Sequence, residues 1–149
     1  KRLVDAMRRR VAAVLAKVRG APRPKVFVEL DASDPIRPFT AGPGSFVDLL
    51  VQLAGGVNIA ASSRTAWPQF SLEELLRADP DMIILADELV TMNPQTPQTV
   101  ARRPGWSLLR AVGRGAMYSI NAELISRPGP RIVEGLELMA KRLHPDRFR

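Results

Sequence analysis

Leu3, Met7, Val11, Val14, Leu15 and Val18 recur at helical spacing, with the arginines of the same segment mainly on the other side. The pattern predicts an amphipathic helix that stops at Gly20, Pro22 and Pro24. "KVFVEL" then reads as a buried strand, short and rich in β-branched and aromatic residues. "DASDPIRPFTAGPGS" is a loop feeding the helix "FVDLLVQLAG", with Ser45 as its N-cap and Gly55-Gly56 as its stop. A short helix follows Ser71, where Ser71 and Glu74 have the spacing of a capping box, and Asp79-Pro80 breaks it. "DMIILAD" is a second buried strand and "AMYSI" a third, with a helix expected between Thr99 and Val112, interrupted or started by Pro104-Gly105. "NAELISRPGP" is a loop. The last helix is expected to start near Pro130, with Ile132, Val133, Leu136, Met139, Ala140 and Leu143 on one face, and His144-Pro145 closes it.

Strands alternating with helices predict an α/β fold whose largely parallel sheet is covered on both faces. In such sheets ligands gather outside the carboxyl ends of the strands, here the loops 31–44, 87–98 and 121–129, with the stretch around Trp67 joining them. At 149 residues the chain is one domain by length. It begins without Met in the middle of a helical pattern, as expected of a fragment or processed product of something longer.

Composition narrows the chemistry. The absence of Cys removes disulfides, thiolate metal sites and a Cys nucleophile. No apolar run in these residues approaches the ~18 needed to span a bilayer. The net charge of +7 raises nucleic acid as a partner, but Lys1, Arg2, Arg8, Arg9, Arg10, Lys17 and Arg19 crowd the first helix without interleaved aromatics. The excess reads as a solvated helix face, not a nucleic-acid site.

The catalytic inventory is thin. His144, the one histidine, lies at a helix end, where a cap or surface role fits it better than catalysis. Asp31 and Asp34 read as turn formers and do not make a metal site. "AGPGS" has the outline of a phosphate-cradling loop, which keeps open an α/β enzyme acting on a phosphorylated small molecule. It lacks the Lys of a P-loop, however, and Pro43 removes an N–H. What remains is a set of large or charged side chains in loops: Phe39, Trp67, Glu123 and Arg127. Two aromatic faces with an acid and an arginine describe a surface for a flat, partly polar ligand.

The runs "PFTAGPGSFVDLLVQLAGGVNIA", "WPQFSLEELLRADPDMIIL", "PGWSLLRAVGRGAMYSI" and "SRPGPRIVEGLELMAKRLHPD" cover nearly the whole chain after residue 24. In order and spacing they resemble the C-terminal lobe of the helical-backbone (class III) substrate-binding proteins of ABC importers, most of all the vitamin B12 (cobalamin) binding branch. The resemblance implies a three-layer Rossmann-like lobe over 25–149, with residues 1–20 as the end of the long interlobe helix and the N-terminal lobe absent. It implies a periplasmic or extracellular protein, membrane-anchored in its full-length form, without catalysis and without a cofactor of its own. Its partners are a small-molecule ligand, a corrinoid held in the interlobe cleft, and a membrane permease. By the same resemblance Phe39 and Trp67 stack on the corrin ring, and Glu123 and Arg127 make polar contacts to its rim. Glu73 docks on the permease. The branch has Asp where this chain has Glu123, followed by aromatics where this chain has Leu124 and Ile125, so a ferric siderophore or haem is the alternative ligand. Haem binders supply Tyr or His to iron, and the only Tyr here, Tyr118, falls in a predicted strand.

Overall fold

A computed structural model describes residues 2–87, 94–125 and 129–148. Its centre is a four-stranded, wholly parallel sheet of β1 (Lys25–Glu29), β2 (Val57–Asn58), β3 (Met82–Leu85) and β4 (Met117–Ser119), in the spatial order β2-β1-β3-β4. Register is set by Val26 opposite Met82 and Glu29 opposite Leu85, and by Ile84 opposite Tyr118. Among the described residues six α-helices surround the sheet: α1 (Arg2–Val18), α2 (Phe46–Leu53), α3 (Leu72–Ala78), α4 (Pro97–Ala101), α5 (Arg110–Gly113) and α6 (Ile132–Leu143).

The layering follows from strand pleat and connection hand. Successive strand residues point to opposite faces. Val26, Val28, Met82 and Ile84 therefore pack on one side with α1, α2 and α6, through Val14, Leu50, Val51, Leu136 and Met139. Phe27, Ile83, Leu85 and Met117 face the other way, onto Phe70, Leu75, Val100, Trp106 and Leu109. The chain moves from β1 outward to β2 and then back across β1 to β3. Parallel crossovers are right-handed, so that reversal sends α2 to one face and α3 to the other. The three-layer α/β architecture expected from the sequence is what forms.

Local signals explain the helix ends. Ser45 caps α2, its hydroxyl accepting from the Asp48 N–H at 3.1 Å. Ser71 and Glu74 form the reciprocal capping box of α3, with Ser71 N–H to Glu74 Oε1 at 3.0 Å and Glu74 N–H to Ser71 Oγ at 3.2 Å. α1 lies along α6, fastened at its solvent side by an ion pair between Arg10 and Glu137.

The structure refines two expectations and adds a strand. The helix expected between Thr99 and Val112 is interrupted at Pro104-Gly105, as anticipated, and becomes α4, a 3-10 turn at Trp106–Leu108, and α5, because Gly105 takes a left-handed φ of 81° that no helix interior tolerates. "VNIAA" contributes β2, a strand of two residues. The last helix begins at Ile132 rather than near Pro130. Among the described residues no helix is long and apolar enough to cross a membrane.

Candidate ligand-binding face

The crevice between β1 and β3 is the point where the order of connections reverses, and it opens at the carboxyl ends of those strands. The loop leaving β1 turns back on itself: Leu30 N–H donates to the Phe39 carbonyl at 2.9 Å, and Phe39 N–H donates to the Asp31 carbonyl at 2.8 Å. Inside the turn Asp31 accepts from Ser33 N–H at 2.7 Å and Asp34 accepts from Ile36 N–H at 3.1 Å, the turn-forming role expected of both.

The same loop then pairs with the stretch around Trp67. Phe39 forms an antiparallel bridge to Gln69. Phe70 N–H donates to the Pro38 carbonyl at 3.0 Å, Thr40 N–H to Pro68 at 2.9 Å, and Gly42 N–H to Ala66 at 2.7 Å. Gly42 is required here, since a Cβ would overlap the Thr65 carbonyl oxygen. This small ladder joins two segments far apart in sequence and presents Phe39 and Trp67 from adjoining strands of chain. Both rings stay open to solvent, Phe39 at 38% and Trp67 at 56% exposure. Trp106, by contrast, is 1% exposed and belongs to the core.

Glu123 sits in a 3-10 turn (Ala122–Leu124) after β4, started by the Asn121 side chain accepting from Glu123 N–H at 3.0 Å. Its carboxylate is exposed and reaches Arg131 at 4.0 Å. Arg127 lies outside the described residues. Glu73 stands in the first turn of α3, where the helix dipole favours an acid, with its side chain 84% exposed and Arg77 at 3.3 Å. That exposed pair holds little energy, so Glu73 is available to another partner.

"AGPGS" is a turn into a helix. The Ser45 hydroxyl is spent on Asp48 N–H and on the Gly42 carbonyl at 2.7 Å. Asp48, buried in that first turn, accepts from Asn58 Nδ2 at 2.9 Å and Gln52 Nε2 at 3.0 Å. A carboxylate already occupies the end of α2 that a phosphate would need, which counts against the phosphate reading. His144 is buried rather than on the surface, its Nε2 3.1 Å from the Gly55 carbonyl as α6 ends.

One constellation was not singled out from the sequence. Glu29, at the end of β1, shares the face of Phe27 and is fully buried. Arg103 meets it with both terminal nitrogens, Nη1 to Oε1 at 2.6 Å and Nη2 to Oε2 at 2.8 Å. The same Nη2 donates to Gln95 Oε1 at 2.8 Å, and the guanidinium lies 4.4 Å from the Trp106 ring. Asp87, just past β3, is fully buried beside this pair, and neither of its oxygens meets hydrogen-bond geometry with a described residue. Burial first, and then the neighbouring Glu29 carboxyl, push the Asp87 carboxyl up to about 9. It therefore carries its proton at neutral pH. The available signal was a Glu inside an otherwise apolar strand, which demands a cation somewhere.

The fold has counterparts among known proteins. The family model described as periplasmic binding protein matches residues 1–124. An uncharacterised ABC transporter substrate-binding lipoprotein of Bacillus subtilis is 31% identical over 124 residues, 83% of this chain and 37% of that one. A protein named cobalamin-binding protein, from Halobacterium salinarum, is 32% identical over 142 residues, 93% of this chain and 37% of that one. The crystal structure of a periplasmic binding protein from Veillonella parvula superposes with a TM-score of 0.82 at 28% identity, over 97% of this chain and half of that one. The chain thus spans well under two thirds of the relatives it matches, and across that span it belongs to the periplasmic binding protein family.

Proposed function

We propose that this chain is the C-terminal lobe of the substrate-binding component of an ABC importer, and that it forms one wall of a cleft that captures a corrinoid. The observation that carries the reading is the pair of exposed rings, Phe39 and Trp67, carried on the two backbone-paired segments beyond the carboxyl end of β1. Two large rings exposed on one small ladder at the strand carboxyl ends offer a surface suited to stacking a flat macrocycle. Glu123, and Arg127 on the same loop, supply polar contacts at the ligand rim. The cobalamin-binding relative from Halobacterium supports the choice of ligand. In this reading α1 is the end of a helix joining two lobes, the full-length protein works outside the cytoplasmic membrane, and Glu73 contacts the permease. The protein captures and releases without chemistry.

Stacking supplies affinity and the polar groups set orientation. A single lobe offers half of the contacts, so the full-length protein is the proper subject of the test. Cyanocobalamin titrated into it should quench tryptophan emission with saturation, and both the quench and the affinity should fall in Trp67→Phe, the exposed ring of the two in this chain. Tight binding of a ferric siderophore with no response to cyanocobalamin would replace the corrinoid by that ligand.

A further inference from the structure

We propose that Glu29, Asp87, Arg103 and Gln95 form a proton-loaded latch that positions the ligand-binding loops, closing the crevice between β1 and β3 and setting where Phe39 stands. The binding consequence rests on the function proposed above; the latch itself does not.

The geometry ties four chain segments to one guanidinium. Arg103, after α4, holds the end of β1 through Glu29 and the stretch before α4 through Gln95. Gln95 N–H in turn donates to the Asp87 carbonyl at 3.2 Å, and Ala86 N–H to the Glu29 carbonyl at 2.9 Å, so both sides of the crevice return to the same group. Leu30, adjacent to Glu29, donates to the carbonyl of Phe39. A shift of Glu29 is passed to Phe39 through one covalent neighbour, Leu30, and one hydrogen bond.

Charge explains why the latch needs a proton. Among the described residues, the titratable groups facing Asp87 are Glu29 from β1 and Arg103 from beyond α4. Two carboxyls share one cation, whose terminal nitrogens are bonded to Glu29 and Gln95 and whose buried Nε meets no partner among the described residues. A second buried negative charge would have no counter-ion. With Asp87 neutral the site carries one plus and one minus. Ionising Asp87 leaves a net negative charge in the crevice, and one relief is to part the end of β1 from Asp87. The arrangement makes a poor stabiliser, because an apolar replacement of a buried pair is often as stable. Its use is in fixing one geometry at the point where ligand is received.

Carbon-detected NMR on the 149-residue chain tests the latch without ligand. Between pH 6 and 10.5 the Asp87 carboxyl carbon should titrate with a midpoint near 9, and the backbone carbons of Leu30, Phe39 and Gln95 should move with the same midpoint. In Asp87→Asn those three should stay still. Asp87 ionised at pH 6, or titrating without moving Leu30 and Phe39, overturns the proposal. The double variant Glu29→Gln, Arg103→Met removes both charges and so retains the fold. In the full-length protein it should keep the wild-type melting temperature within a few degrees yet weaken cyanocobalamin binding about tenfold or more. Unchanged affinity in that variant overturns the positioning role. If the wild type binds no corrinoid at all, the proposed function fails, and the resonance titration alone decides the latch.

Discussion

Asp87 shows how far one residue can depart from its ordinary chemistry. Its carboxyl is raised from the usual carboxylate range to about 9, by burial and then by Glu29. The unfolded chain would ionise it near the ordinary value of roughly 4. The folded state therefore binds the extra proton between those two values, and the contribution to stability is fully present below pH ~4 and falls away as pH rises to about 9. Asp87→Asn removes that loss. Its melting temperature should exceed that of the wild type at pH 8, with the gap closing toward pH 4; equal curves at both values would mean that Asp87 is ionised in the fold. Trp67 is the opposite case, a large ring left 56% exposed where folding energy would favour burial. Truncating it to Ala should cost little stability but weaken ligand binding by about 30-fold, the scale of a 2 kcal/mol hot spot, as read by calorimetric titration of the full-length protein.

Elements were legible in the sequence wherever a local signal decided them. Ser45 and Ser71 announced helix starts that the structure keeps, since a hydroxyl three residues before a free N–H is a local arrangement needing no tertiary partner. Ser71→Ala should lower stability by about 1 kcal/mol, seen as a melting shift of roughly 3 °C. Other features were decided by distant neighbours. The strand Val57–Asn58 is two residues long and exists because β1 pairs with it, so no periodicity could reveal it. The Thr99–Val112 segment has enough apolar residues for one helix, yet Gly105 turns left-handed and the chain folds into three short pieces around Trp106. The candidate site divides in the same way. Phe39, Trp67, Glu123 and Glu73 were found as loop or helix-surface side chains and lie exposed in the structure. Glu29, Asp87 and Arg103 escaped notice because each looks ordinary in its own segment, and only a separation of 74 residues between Glu29 and Arg103 makes the pair. The ladder that carries the rings has its own weak point at Gly42. In Gly42→Ala the new methyl must push against the Thr65 carbonyl, and binding should fall about tenfold through displaced Trp67, measured beside an unaltered helix content by circular dichroism.

At the scale of the whole molecule, the proposed function assigns different work to two surfaces. The rings and Glu123 lie on loops at the carboxyl ends of the strands, while Glu73 projects from the exposed first turn of α3. Capture and delivery can then be altered separately. Glu73→Arg should impair uptake through the permease in cells while leaving ligand affinity unchanged; reduced affinity in that variant would place Glu73 in the cleft. The measurement that tests the central claim most directly is cyanocobalamin titration of the full-length protein, following tryptophan emission in wild type and Trp67→Phe. Saturable quenching that shrinks in Trp67→Phe, with weaker binding, is the expected result. Saturable binding by calorimetry with no change in Trp67 emission would contradict a ligand stacked on that ring, and the absence of any binding would contradict the corrinoid itself.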